Sequence, residues 1–433
     1  EGEGEHGEAA RRECHDDAAG ECPRCDADVK SRTAPAGSST RGFARSIVRA
    51  MERTDRPKRS RLARAAVTGV CVAGMAAAVP RAVVGRDADR FYDGDRATQE
   101  ALARAVAEYV AKDTGPGAFH TGDARFDGEW TVATHQMAAL GLAQVIRAHP
   151  ELRGRYAPVV RRAVENLLRE RAWRFGASAW GRGPFESLDT DEGHAYLGYI
   201  ALGMGALREV DPASPHHELH DRVIAALARR LERSPHGAIE TYPGEAYPCD
   251  IASVVGAIGQ HARLTGTDRR VLIARMADLY RRRWRDPRSG YLVQSVSPRT
   301  ADPTAPPRAS GTALAAYFRS FADRALAGEL GLSLARTGHV ERVGFGAVRE
   351  YAPGHEGRGD IDSGPVVLGV SVSATGFALA TARQLGDRTR YRELYRTAAL
   401  FGVPVARGER RRFLAGGPIG NAILLAMLTA EAR

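Results

Sequence analysis

Six segments of helical length carry small and apolar residues on every side and almost no charge. They begin at Gln136 (QMAALGLAQVI), His194 (HAYLGYIALGMGAL), Asp250 (DIASVVGAIGQHARL), Gly311 (GTALAAYFRSFA), Gly364 (GPVVLGVSVSATGFALATA) and Gly420 (GNAILLAMLTA). The intervals between these starts are 58, 56, 61, 53 and 56 residues. A near-constant spacing in this range marks a repeat architecture, in which each unit buries its apolar face on its neighbours. Between these segments lie helices of the opposite kind: Thr98–Lys112, Tyr156–Trp173, His217–Arg233, Arg269–Trp284 and Thr389–Phe401, with a further partner expected in Asp323–Arg336. Their apolar residues recur three and four apart, and Arg and Glu occupy the other face.

A helix that is apolar all round is buried, and a helix that is half polar is peripheral. Six of each in alternation predict an all-α fold, an (α/α)6 barrel of six helical hairpins with an inner and an outer ring, over residues 87–433. An open stack of hairpins would need polar capping repeats at its ends. None is present, because the last inner segment ends a few residues before Arg433.

The remainder of the chain reads differently. Residues 1–50 are rich in Gly, Glu, Ser and Arg and are expected to be a disordered tail. They contain Cys14-His15 and Cys22-Pro-Arg-Cys25, a zinc-like complement with no foldable sequence around it. Residues 51–86 open at Met51, which reads as a natural start. A basic run (Arg53, Arg56, Lys58, Arg59, Arg61, Arg64) and the apolar run Ala65–Val79 follow. This is the order of a signal peptide or amino-terminal anchor. The apolar run is short of the roughly 20 residues that a spanning helix needs. An exported protein is expected, secreted or tethered to the membrane through 65–79. The net charge of +10 comes almost wholly from arginine and is read as solvated outer helix faces. Attraction to an anionic surface is the alternative, and no nucleic-acid-binding signature supports it.

The loops that lead into the inner helices would crowd around one mouth of such a barrel, and they are long and acidic. The first holds Glu129 and Trp130 ahead of His135. The second runs Asp189-Thr-Asp191-Glu192-Gly-His194. The third holds Glu240, Tyr242, Glu245, Tyr247, Cys249 and Asp250, and the fifth holds Asp360 and Asp362. Carboxylates gathered in one cavity cannot all ionise, and this yields acids and bases near neutral pH. The candidates for catalysis are therefore Asp191, His194, Glu240, Cys249, Asp250, Asp360 and Asp362, and those for lining the cavity are Glu129, Trp130, His135, Tyr242 and Tyr247. Competing structural roles stand beside these: helix capping for Asp189, Asp191 and Asp250, turn formation for Asp360 and Asp362, and plain core packing for His194 and the aromatics. No phosphate loop or dinucleotide fingerprint occurs, so cofactor-independent chemistry on a small molecule is expected.

Several blocks resemble the linalool dehydratase/isomerase family. They are Asp191-Glu-Gly-His194, Gly237-Ala-Ile-Glu240 with Tyr247-Pro-Cys249-Asp250, Leu264-Thr-Gly-Thr-Asp268, Asp286-Pro-Arg-Ser-Gly290, and Ala374-Thr-Gly-Phe377 with Ala382-Arg-Gln-Leu-Gly-Asp387. The resemblance implies an (α/α)6 barrel and a lyase or isomerase acting on an alcohol. Under it, Glu240 or Asp362 protonates the leaving hydroxyl, and Cys249 or His194 takes or relays a proton. Glu240 stands where that family has a cysteine, and the family's first-loop residues have no match. The alternatives are an exported glycoside hydrolase that pairs Glu240 with Asp191 or Asp360, protonation-initiated terpene cyclisation from Asp189-Thr-Asp191-Glu192, and a binding protein on the same scaffold.

Overall fold

The structure is a computed structural model that describes residues 66–69, 78–361 and 363–431. Contacts divide the chain into residues 1–70 and 71–433. The zinc-like cysteines, Met51, most of the apolar run and Asp362 lie outside the described residues. Among the described residues no helix is long and apolar enough to cross a membrane.

The described residues from 78 to 431 form the barrel. The inner helices are Ala124–Ala148, Leu197–Val210, Pro248–Thr265, Ala309–Arg319, Val372–Gln384 and Gly417–Leu428. Each packs on the next, and the sixth packs back on the first, so the ring is closed. The outer helices are Arg96–Ala111, Arg153–Leu168, His217–Arg233, Arg270–Leu279, Arg324–Ser333 and Arg388–Gly402. The fourth and fifth of these both end in one π-helical turn, Tyr280–Trp284 and Leu334–Gly338.

The small residues of the inner segments explain how closely the ring closes. A Cβ added to Gly256 would lie 2.5 Å from the Phe318 carbonyl oxygen. At Gly198 it would lie 2.5 Å from the Val254 nitrogen, and at Gly141 2.9 Å from the Ala426 nitrogen. Adjacent inner helices thus touch backbone to backbone at three of the six seams, where any side chain would hold them apart. Three of the six outer helices start on side-chain caps that the sequence supplies: Asp95 accepts from the Thr98 amide at 2.8 Å, Asp323 from Ala325 at 3.0 Å and Asp387 from Arg390 at 3.0 Å. Each satisfies an amide that the first turn leaves without a partner.

Four boundaries depart from the sequence expectation. The first inner helix starts at Ala124, twelve residues before Gln136, so Glu129, Trp130 and His135 are helical rather than in a loop. The second outer helix breaks at Arg169, and Glu170–Trp180 forms a separate helix. The fifth inner helix starts at Val372 rather than Gly364, because the preceding residues extend. There β1 (His339–Arg342), β2 (Phe345–Arg349), β3 (Val366–Val367) and β4 (Val370–Ser371) make an antiparallel sheet in the order β1-β2-β4-β3, with Val348 opposite Ser371. A hairpin of β5 (Pro404–Arg407) and β6 (Arg410–Phe413) precedes the sixth inner helix. Both strand groups are insertions in loops that lead into inner helices.

Candidate active site

The third of these loops builds the most chemically distinctive corner of the mouth. Pro248 occupies the first turn of the third inner helix, where a missing N–H costs nothing. Asp250 therefore falls inside the first turn and does not cap the helix. Its carboxyl turns toward neighbouring side chains: Tyr199 of the second inner helix donates to Oδ1 at 2.7 Å, Thr241 donates to Oδ2 at 2.6 Å, and the Cys249 thiol donates to Oδ1 at 3.5 Å. Burial pushes the Asp250 carboxyl above its ordinary pKa, against the opposing pull of these three donors.

Beside it, the Tyr242 hydroxyl donates to Oε1 of Glu129 on the first inner helix. The Tyr242 ring lies under the Arg125 guanidinium, 4.9 Å from its centroid, and 6.3 Å from the Phe175 ring. Burial first, then the charges of Glu129 and Asp250, raise the Tyr242 hydroxyl far above its ordinary pKa. Glu129 and Asp250, from two separate inner helices, both act on the Tyr242 hydroxyl. Tyr247 donates to Oε2 of Glu245 at 2.7 Å, and burial also raises its hydroxyl.

The other candidates are engaged elsewhere. Glu240 accepts the Gly244 amide at 3.0 Å, and its backbone carbonyl accepts the Ala195 amide at 2.9 Å. It therefore ties the third loop together and joins it to the second. Asp191 is an exposed partner of Arg233 at 3.0 Å. His194 is fully buried and adopts φ +43°. Its ring is held by the Tyr196 hydroxyl at 2.9 Å and by Glu192 at 3.3 Å, and its centroid lies 4.8 Å from that of Trp180. Burial lowers its pKa to about 4, so the imidazole is neutral and enclosed. His135 contacts the Thr114 carbonyl at 2.8 Å through Nε2, and Trp130 packs edge-on against Phe119 at 5.8 Å. Both fasten the segment ahead of the first inner helix. Asp360 is paired with Arg308 and accepts the Ser363 amide at 2.8 Å. Burial acts to raise its carboxyl, but these partners outweigh it and hold it below the ordinary value.

Sequence reasoning missed Tyr199, Thr241 and Glu350. Tyr199 is one of the few polar-tipped side chains in an otherwise apolar segment, and that contrast was the available signal. Glu350 has none in sequence. It is fully buried where β2 ends, and its Oε1 accepts from Arg308 at 2.8 Å and Ser310 at 2.6 Å. Among the described residues no group of three or more His, Cys, Asp or Glu side chains is placed to hold a metal ion.

No protein-family model matches this sequence, and no curated protein matches it. Among solved structures, the fold is similar to that of an inactive variant of an α-1,6-mannanase of Salegentibacter sp. in complex with α-1,6-mannotriose. The TM-score is 0.50 at 12% identity, over 78% of this chain and 100% of the other. That enzyme is a glycoside hydrolase with an (α/α)6 fold. The (α/α)6 barrel expected from the repeat is therefore observed. The resemblance to linalool dehydratase/isomerase is overturned, and with it the lyase or isomerase reading. The geometry agrees with that correction. The relay expected Glu240 or Asp362 as the acid with Cys249 or His194; His194 is buried against Trp180, the Glu240 carboxylate accepts the Gly244 amide within its own loop, and Asp362 lies outside the described residues.

Proposed function

We propose that this protein is a glycoside hydrolase in which Asp250 is the general acid and Glu129 the partner carboxylate. One observation carries the assignment: Asp250 is a carboxyl at the head of an inner helix whose pKa is raised by burial. A carboxylic acid whose pKa is raised by burial is suited to protonating a glycosidic oxygen. Glu129 reaches the same corner from the first inner helix, across the second from Asp250, and is oriented by the Tyr242 hydroxyl. It would serve as the nucleophile, or as the base that activates water. Cys249, Tyr199 and Thr241 hold the acid in place. The saccharide complex of the structurally similar mannanase supports the choice of reaction class, and export, expected from residues 51–79, would suit a polysaccharide substrate. Asp191 and Asp360, the acids first paired with Glu240, are bound to Arg233 and Arg308, so Asp250 and Glu129 replace them in the proposal.

The test is release of reducing ends from α-1,6-linked manno-oligosaccharides and from a panel of other α- and β-linked oligosaccharides. The parent should hydrolyse at least one. Asp250→Asn and Glu129→Gln should each lower kcat about 100-fold or more, the scale of a lost acid or base, with unchanged circular dichroism. Full activity in both variants would refute the assignment. Saccharide binding without cleavage by the parent would instead mark a carbohydrate-binding protein on the same scaffold.

A further inference from the structure

Next to this corner lies an open cavity of ≈ 520 Å³, between the start of the first inner helix and the helix Glu170–Trp180. Its lining includes Arg125, Arg171 and Arg174, together with Phe175, Gly128 and Ser178, and no carboxylate. The three guanidiniums belong to exposed residues and reach solvent. Their acidic partners are shared or weakly engaged. Asp113 serves both Arg169 and Arg171, Arg174 meets the exposed Glu170 at 3.2 Å, and Arg125 stands 3.9 Å from Glu245. The cavity borders the proposed site through two of its lining residues. Arg125 covers the Tyr242 ring, Phe175 faces it, and Gly128 precedes Glu129 in the chain. At Gly128 a side chain would meet the Phe175 ring, since an added Cβ would lie 2.9 Å from its Cγ.

A concavity with three cationic forks and one aromatic face suits a planar or tetrahedral oxyanion attached to an apolar-faced ring. The geometry points to an anionic saccharide as the ligand of this cavity: a sugar unit bearing a carboxylate, sulfate or phosphate, seated on Phe175 and held by Arg171 and Arg174, with Arg125 at the boundary to the acid corner. This deepens the glycosidase proposal, because it makes the cavity a subsite that selects charged glycans. All three arginines line one hollow, and their acidic partners Asp113, Glu170 and Glu245 lie outside its lining.

Titration calorimetry on the full chain tests this with four probes: tetragalacturonate, a sulfated heparin tetrasaccharide, mannose 6-phosphate and neutral α-1,6-mannotriose. At least one anionic probe should bind ten times or more tighter than the neutral one, and the probe that does so identifies the oxyanion. That preference should shrink between 0.05 and 0.5 M NaCl, as screening shortens the reach of exposed charges from above about 10 Å to a few ångströms. Arg174→Glu should weaken the anionic probe about tenfold or more, the scale of one charge-assisted hydrogen bond, and leave mannotriose unchanged. Ser178→Asp places a carboxylate in the hollow without removing a partner, and should do the same even if an arginine variant folds poorly. Equal affinity for charged and neutral probes overturns the proposal, as does unchanged anion binding in both variants. Binding that follows this pattern without hydrolysis keeps the cavity and defeats the glycosidase reading, so the two fail separately.

Discussion

Burial holds three histidines of the barrel below their ordinary pKa, and none touches the proposed chemistry. Burial lowers His135 and His194 to about 4 and His220 to about 3. The His220 ring is buried with both nitrogens unpartnered, 5.1 Å from the His261 ring. His261 itself meets Asp221 at 2.7 Å. A folded-state pKa below the unfolded value of about 6.5 favours the native state above that pH, and the advantage disappears as pH falls toward the folded value. His135 and His194 then each withdraw about 3 kcal/mol and His220 about 5 kcal/mol. The melting temperature should therefore drop steeply from pH 6.5 to 4. His220→Leu should lessen that drop, because nothing at that position then has to gain a proton in the unfolded state. Calorimetric scans at pH 7.5 and 4.5 check it; parallel losses in parent and variant would show that His220 contributes nothing. Arg308 gives a second case. It contacts the fully buried Glu350 and also pairs with Asp360, so Arg308→Met leaves Glu350 uncompensated. The expected cost is about 3–5 kcal/mol, read from denaturant midpoints. Glu350→Gln in the same background should recover part of it.

At the level of elements, glycine decides how closely the inner helices meet. Gly256→Ala sets a methyl group against the Phe318 carbonyl, an immovable backbone atom. About 2–4 kcal/mol of stability should be lost, as for overpacking of a rigid seam. Gly420→Ala is the control, since nothing lies near that position and alanine favours the helix; it should be neutral or slightly stabilising. The loops follow a different logic. Tyr242, Asp250 and Glu129 meet because the third loop is pinned at several points. The Thr241 amide bonds the Glu245 carbonyl at 2.8 Å, Trp180 Nε1 donates to the Thr241 carbonyl at 3.0 Å, and the Glu240 carbonyl takes the Ala195 amide. Gly193 lies so near Glu240 that a side chain there would displace the loop. Gly193→Ala should consequently damage the hydrolysis proposed for this site more than its effect on melting temperature would suggest, and a comparison of kcat with thermal midpoint reads that difference.

For the whole molecule, closure of the ring is what makes six hairpins one body. The last inner helix packs on the first, and the Gln144 amide joins three parts of the ring: it donates to the Tyr317 hydroxyl at 2.6 Å and accepts from Thr429 at 3.0 Å. Gln144→Leu strands the Tyr317 hydroxyl in the core, while Thr429 keeps its bond to the Leu425 carbonyl at 2.6 Å, and one unmet buried group costs about 1–3 kcal/mol. A chain ending at Gly416 would lose the sixth inner helix and expose the apolar faces of the first and fifth. It should populate an aggregating or protease-sensitive state, visible by gel filtration and limited proteolysis, while the full chain remains compact.

The sequence by itself determined the repeat, the alternation of buried and half-buried helices, and hence the (α/α)6 ring. These follow from local periodicity, which every hairpin repeats and no long-range contact can reverse. It also located the mouth, since the acids stand just ahead of the inner helices or in their first turns. It did not determine which acids work together. Asp191, Glu240 and Asp250 look alike as carboxylates near helix starts, yet one pairs with an exposed arginine, one closes a turn, and one has its pKa raised by burial. Those fates depend on Arg233, Gly244, and Tyr199 with Thr241, partners up to 51 residues away. The strand insertions before the last two inner helices were equally hidden, because short strands of two to five residues leave too little alternation to read. Burial and pairing are properties of the assembled chain, so the chemistry of this mouth was decided only when the ring closed.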